Sequence, residues 1–200
     1  FFNHSTYKNK KTLKNSIFLY LDHKPNFDQP WNNFDDWQEY LNCQEKFLSH
    51  LSEDIKKNLY VKFNNFSTTS NKDMQKKLNL KKHKIKIYKN KKEFLPEISI
   101  FGYDGTGFFE KLNLGTPTIA FWDINKAKIK DIAKKDFKKL EESNLIFKNP
   151  IKAAEFLNSN YHDIHVWWSK KKIQNRIKVF TNRYSRRTLN IDKKIACKLK

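Results

Sequence analysis

Six short, mostly apolar runs are spaced along this chain, and segments with apolar residues at helical spacing separate them. Strands covered on both faces read as continuous apolar runs, because neither face of the sheet meets water. Strand and helix therefore alternate, which is typical of a parallel sheet with helices on both sides. We predict a Rossmann-like three-layer α/β/α fold with a mostly parallel sheet. The predicted strands are Ile17–Leu21, Leu59–Phe63, Ile85–Tyr88, Ile98–Phe101, Pro117–Trp122 and Leu145–Phe147.

The predicted helices follow from stripes of apolar residues that recur every three or four positions. One of them begins at Asn125 and carries Ile132 in a stripe that is expected to face the core. Asn149 followed by Pro150 marks another helix start, since Asn caps free N–H groups and proline fits the first turn. The predicted helices span about 34–57, 72–78, 108–114, 125–140, a segment from 150 onward, and 164–184.

The chain is long enough for one domain with a buried core, because 38% of its 200 residues are hydrophobic. It begins Phe-Phe-Asn without an initiator Met, so we interpret it as a fragment. We expect residues 1–15 to be the ragged start of that fragment and residues 16–185 to form the Rossmann-like domain. Residues 186–200 are expected to form a basic tail.

The net charge of +20 first suggests a polyanionic partner, such as nucleic acid or an anionic membrane. However, 37 of the 41 basic residues are lysine, and Lys, Asn, Ile and Phe share A/T-rich codons. Proteins that recognise the phosphates and bases of nucleic acids favour arginine, because its planar guanidinium group can bind two oxygens at once. Codon bias therefore explains most of the charge, and nucleic acid is not expected as a partner.

The end of the chain is the exception to this explanation. Residues 169–200 contain eight lysines, all four arginines and a single acid, Asp192. One interpretation is a solvated helix face followed by a frayed terminus. The other is contact with the phosphates of an anionic inner membrane, which would make the protein cytoplasmic and peripheral to that membrane.

The two cysteines, Cys43 and Cys197, lie far apart and near no Cys/His cluster, which argues against a disulfide scaffold or a Cys-rich zinc site. His162 and His165 lie three residues apart without a visible third ligand, so no metal is expected. A reducing, cytosolic setting is the expectation. No apolar run approaches the ~20 residues that a membrane span requires.

All four glycines fall within fourteen residues, between a predicted strand and the next one. A glycine turn that opens onto a helix presents free N–H groups and a partial positive charge, which bind phosphate. Thr106 adds a hydroxyl, and Glu110 can accept bonds from sugar or ribose hydroxyls. Alternatively, Asp104 only caps the helix, Glu110 only complements its dipole, and the glycines only form a tight turn. The segment matches neither the P-loop nor the dinucleotide GxGxxG pattern.

Residues 98–122 resemble transferases of bacterial O-antigen, lipopolysaccharide and surface-polysaccharide gene clusters. The resemblance continues through the paired alanines Ala153-Ala154 and the pair Trp167-Trp168, and it covers most of residues 16–185. The residues that carry it are Tyr103, Thr106, Phe108, Phe109, Glu110, Pro117, Thr118, Ile119, Phe121 and Trp122.

The resemblance implies the C-terminal half of a GT-B glycosyltransferase, the domain that binds a nucleotide-activated sugar. Its partner would be a missing N-terminal domain that holds the general base and the acceptor. No catalytic residue can therefore be identified in this chain, and it is expected to be inactive alone. No cofactor is implied, since the nucleotide-diphosphate sugar is the substrate. The implied donor-site residues are Asp104, Gly105, Thr106, Gly107 and Glu110, with further contacts from Lys62, Tyr103, Trp122, Asp123 and Arg176.

Two residues depart from the family pattern. Lys62 stands where arginine is usual, which keeps the charge but loses the bidentate fork. Gly105 stands where serine is commoner, which removes one hydroxyl donor. A sugar-nucleotide epimerase, a basic nucleic-acid-binding module and a non-catalytic remnant are the alternative interpretations.

Overall fold

The computed structural model describes residues 11–21, 34–63, 68–89, 94–103, 105–122 and 129–185. Its centre is a sheet of six strands that are all parallel, which confirms the predicted fold class. The strand order is β3-β2-β1-β4-β5-β6, so the chain runs outward from β1 in one direction and then returns to continue in the other. The strands are β1 (Thr12–Leu21), β2 (Leu59–Phe63), β3 (Lys86–Ile87), β4 (Leu95–Phe101), β5 (Thr118–Phe121) and β6 (Ile146–Phe147).

Helices cover both faces of the sheet. Phe47 stacks on Phe121 from one face, and Phe101 meets Phe108 on the other. Because successive strand residues point to opposite faces, these contacts assign α1 and α4 to different layers. The helices are α1 (Phe34–Ser49), α2 (Glu53–Asn58), α3 (Thr68–Lys77), α4 (Thr106–Leu114), α5 (Asp131–Glu141), α6 (Pro150–Asn160), α7 (Ile164–Ser169) and α8 (Lys171–Tyr184).

The predicted single helix over 34–57 is wrong, because the helix is interrupted between α1 and α2. Ser52 is extended at the break. Asn158 of α6 holds it there, accepting from the Ser52 amide at 2.9 Å and donating to the His50 carbonyl at 2.8 Å. The backbone groups freed by the break are thus satisfied by a residue more than a hundred positions away.

The predicted helix over 164–184 is also two helices, α7 and α8, which meet at Lys170. Trp168 fixes this junction: its indole N–H donates to the Gly115 carbonyl at 3.1 Å, and its own carbonyl accepts from Gln174 at 2.7 Å. Trp167 and Trp168 are both buried.

Strand β1 begins at Thr12, five residues before its predicted start. The added segment contains a register shift, and Asn15 there has a left-handed φ of 53°. Its amide donates to Glu97 at 2.6 Å, so a long-range contact supports a bulge that looks like a polar loop in the sequence.

The prediction that Ile132 faces the core is wrong, since its side chain is 83% exposed. It lies in the first turn of α5, and the buried stripe of that helix is formed by Ala133, Asp136, Phe137 and Leu140. The predicted cap at Asn125 lies outside the described residues. The Asn149 cap is confirmed, because its side chain accepts from the Ile151 and Lys152 amides at 2.8 and 3.4 Å.

Asp136 joins α5 to α8. Its carboxylate accepts from Arg183, from the Tyr184 hydroxyl at 2.9 Å and from Lys139 at 3.2 Å, and the residue is only 5% exposed. Burial raises the pKa of this carboxyl, but the hydrogen bonds outweigh burial and hold the pKa below its ordinary value of 3.8.

The substitution Asp136→Asn is expected to lower the free energy of unfolding by about 2 kcal/mol at neutral pH, because charge-assisted hydrogen bonds are lost. A carboxyl whose pKa is lower in the folded state stabilises that state at pH values above its unfolded-state pKa. This stabilisation disappears as the pH falls towards the folded-state pKa. Urea unfolding from about pH 5 downward should therefore show a steeper loss of stability in the wild type than in the variant. Parallel pH curves for the two proteins would contradict this assignment.

Candidate donor site at the carboxyl edge of the sheet

The direction of strand order reverses between β1 and β4, and ligands of open α/β sheets bind beyond the carboxyl ends of the strands at such a point. Tyr20, near the end of β1, pairs in register with Phe101, the last residue of β4. The glycine turn follows directly at Gly102. The sequence-predicted turn therefore lies at the position where this fold class binds ligands.

Helix α4 begins just after the turn. Gly105 occupies its N-cap position in an extended conformation and, having no side chain, cannot itself cap the first amides. Thr106, the first helical residue, is exposed. The N-cap residue therefore leaves these amides without a partner from its own side chain, and the helix N-terminus carries a partial positive charge. Asp104 lies outside the described residues, and the cap position that the alternative interpretation gave it belongs to Gly105.

Neighbouring side chains lie against the backbone of three glycines. A Cβ atom at any of them would come closer than 3.0 Å to a side chain. A larger residue at any of these positions would therefore force the neighbouring side chain to move, so packing favours glycine there without a ligand. The contacts are Gln44 against Gly102, Tyr103 against Gly105 and Phe101 against Gly107. The fourth, Gly115, ends α4 with a left-handed φ of 74°.

A row of side chains crosses three strands beside the turn. Tyr20 stacks on Phe101 with ring centroids 4.5 Å apart and planes 4° apart. Lys62, which pairs with Tyr20 in register, places its ammonium 5.7 Å from the centre of the tyrosine ring. The predicted phosphate contact Lys62 is thus brought to the same edge as the turn.

Lys111 of α4 completes this group, and sequence reasoning missed it. Its ammonium also lies 5.7 Å from the Tyr20 ring centre, and the residue is only 8% exposed. Lysine is seldom so deeply buried. Two ammonium groups beside one ring make this group of residues a candidate contact for an anion. We name Tyr20, Lys62 and Lys111 the Tyr20 cluster.

The remaining predicted residues divide between this edge and another part of the molecule. Glu110 is half-buried on α4, and the Tyr103 ring lies 6.0 Å from Phe101. Trp122 follows β5, and its buried indole N–H finds no hydrogen-bond partner among the described residues. Arg176 instead lines a groove between α5 and α8. Asp123 lies outside the described residues.

In the parts of the chain that the structure describes, no three His, Cys, Asp or Glu side chains are grouped as a metal site would need. None of the helices described above is both long and apolar enough to cross a bilayer.

Comparison with known proteins gives a family but no close relative of known structure. No curated protein matches the chain, and neither does any solved structure. Residues 2–199 match the family described as LIC12162 family transferase. Because this match covers nearly the whole chain, the protein belongs to the LIC12162 family of transferases.

Proposed function

We propose that this chain is the donor-binding domain of a glycosyltransferase-like enzyme that uses a nucleotide-diphosphate sugar. The observation that carries the proposal is the N-terminus of α4 at the switch point, where glycine is the N-cap residue, with the Tyr20 cluster beside it. Amides at a helix N-terminus and two ammonium groups suit a diphosphate, which carries at least two negative charges. The assignment to O-antigen and surface-polysaccharide assembly, and to a GT-B C-terminal half, rests on the sequence resemblance.

Each side chain has a defined part in this proposal. The α4 amides and the Thr106 hydroxyl bind one phosphate, while Lys62 and Lys111 neutralise the other. Glu110 accepts hydrogen bonds from ribose or sugar hydroxyls. The Trp122 indole N–H donates to an oxygen of the donor, which would give it a partner that it lacks among the described residues.

The reaction proposed for the whole enzyme is a displacement at the anomeric carbon. The acceptor oxygen forms a bond to that carbon, and the bond from carbon to the diphosphate oxygen breaks. The diphosphate leaves with the electron pair, and the acceptor proton passes to a base that we assign to a second domain. This chain positions the donor and stabilises the leaving charge with preorganised N–H groups and cations.

A thermal-shift screen with UDP, GDP, CDP and dTDP, each free and sugar-linked, tests the proposal. One base class should raise the melting temperature by about 5–10 °C, because ligand at about 100 times Kd adds about 2.7 kcal/mol. Glu110→Ala should reduce the shift for that ligand, whereas Glu155→Ala, an exposed acid on α6, should not. If no nucleotide shifts the folded chain, the donor-site assignment is wrong.

A further inference from the structure

A second cationic feature lies away from the glycine turn, in a groove of about 550 Å³ between α5 and α8. Four basic side chains line it: Lys139 from α5, and Lys171, Lys172 and Arg176 from α8. On α8 these residues follow the helical repeat of one face, opposite the buried stripe that contains Ile177. We call this feature the α5–α8 groove.

The described lining of the groove carries more positive than negative charge, with four basic residues against one acid. The only acid among the described residues that line it is Asp136, which accepts from Arg183, Tyr184 and Lys139. The Asp136 carboxylate therefore accepts from residues other than the three basic residues of α8 that line the groove, Lys171, Lys172 and Arg176. The sequence adds basic residues beyond α8, beginning with Arg186 and Arg187.

The groove also has an apolar part. Leu140 and Phe180 line it together with Val179, whose side chain is 55% exposed. Ile132, the most exposed large apolar residue described, lies in the first turn of α5, four residues before Asp136. Cations beside exposed aliphatic side chains are the pattern of surfaces that lie in a membrane interface.

We propose that the α5–α8 groove docks on an anionic bilayer, with lipid phosphates among its cations and Val179 and Ile132 in the headgroup region. Charge complementarity supplies the attraction, and the apolar lining favours a lipid surface over nucleic acid, which has no apolar layer to receive aliphatic side chains. The inference does not depend on the donor site, because none of the groove residues belongs to the Tyr20 cluster. Docking there would keep a sugar-transferring domain close to acceptors held in the membrane.

The test is sedimentation of the 200-residue chain with phosphatidylcholine vesicles that contain or lack about one third phosphatidylglycerol. The wild type should bind only the anionic vesicles. The triple variant Lys171→Gln/Lys172→Gln/Arg176→Gln should bind about a hundredfold more weakly, because each cation near such a surface contributes about fivefold. A matched triple, Lys77→Gln/Lys81→Gln/Lys82→Gln, removes the same charge from exposed positions around the end of α3 and should lose about fivefold or less.

Two further measurements separate the lipid surface from other sources of the same chemistry. Val179→Asp, at an exposed position that leaves the core intact, should weaken vesicle binding without lowering the melting temperature. An excess of inorganic phosphate should fail to displace the vesicles at constant ionic strength. Equal losses in the two triple variants, displacement by free phosphate, or binding to neutral vesicles would each overturn the proposal.

Discussion

Replacing Lys111 by methionine is expected to weaken binding of the preferred nucleoside diphosphate by about 10- to 100-fold. A hydrogen bond to a charged group contributes about 1.5–3 kcal/mol, and each 1.4 kcal/mol is a factor of ten in affinity. Methionine keeps an unbranched side chain of similar length over Tyr20, so the buried position remains filled. Isothermal titration of both proteins with that nucleotide measures the difference.

The controls for Lys111→Met separate a phosphate contact from a general effect of charge. Lys62→Met should also weaken binding, because Lys62 approaches the same ring from β2. Lys152→Met removes a charge from an exposed position on α6 and should leave affinity unchanged. Inorganic pyrophosphate should lose affinity for Lys111→Met by the same factor as the nucleotide, since the contact is to phosphate. If Lys111→Met binds as tightly as the wild type, Lys111 does not contact the phosphates and its part in the donor site is wrong.

The parts of the site that sequence reasoning found are those fixed by neighbours along the chain. Gly102 follows β4 directly, and a parallel sheet brings the carboxyl ends of its strands to one edge. The position of the turn therefore follows from the order of the apolar runs. Lys62 was predicted from the family resemblance instead, and the structure shows it one residue from the end of β2.

Lys111 could not be found in this way. Its significance comes from Tyr20, a residue ninety-one positions earlier in the chain, and no local pattern joins the two. A lysine on a short helix normally reads as a solvated residue, and only the packing of α4 on the sheet shows that it is buried. The break between α1 and α2 was missed for the same reason, because Asn158 stabilises it from another helix.

The glycine cluster shows how one sequence signal can have two physical causes. Its composition predicts close approach of a ligand to the backbone, whereas the structure shows Gln44, Tyr103 and Phe101 making that approach. The glycines are therefore explained without a ligand. The case for an anion rests instead on the N-terminus of α4, where the N-cap glycine has no side chain, and on the two cations of the Tyr20 cluster, which the glycine pattern does not require.

Phe101→Ala is expected to have the largest effect on stability of the substitutions considered, lowering the free energy of unfolding by about 3–5 kcal/mol. Phe101 is fully buried at the end of β4. Its ring stacks on Tyr20 and meets Tyr103 and Phe108 edge-on, so its removal leaves a cavity beneath the start of α4. Urea unfolding followed by tryptophan fluorescence measures the loss. Ile132→Ala, at an exposed position on α5, should change stability by about 0.5 kcal/mol or less.

The same ring links the stability of the core to the proposed site. Tyr20 lies flat against Phe101. Both lysines of the Tyr20 cluster place their ammonium groups near the Tyr20 ring. Phe101→Leu fills more of the space, so it should lose less stability than alanine but still remove the flat surface that orients Tyr20. Under conditions where Phe101→Leu remains folded, its nucleotide affinity should fall. The control is Ala153→Gly in α6, a core substitution away from the Tyr20 cluster, which should leave the nucleotide affinity unchanged. If both folded variants bind like the wild type, the orientation of Tyr20 does not contribute to the site.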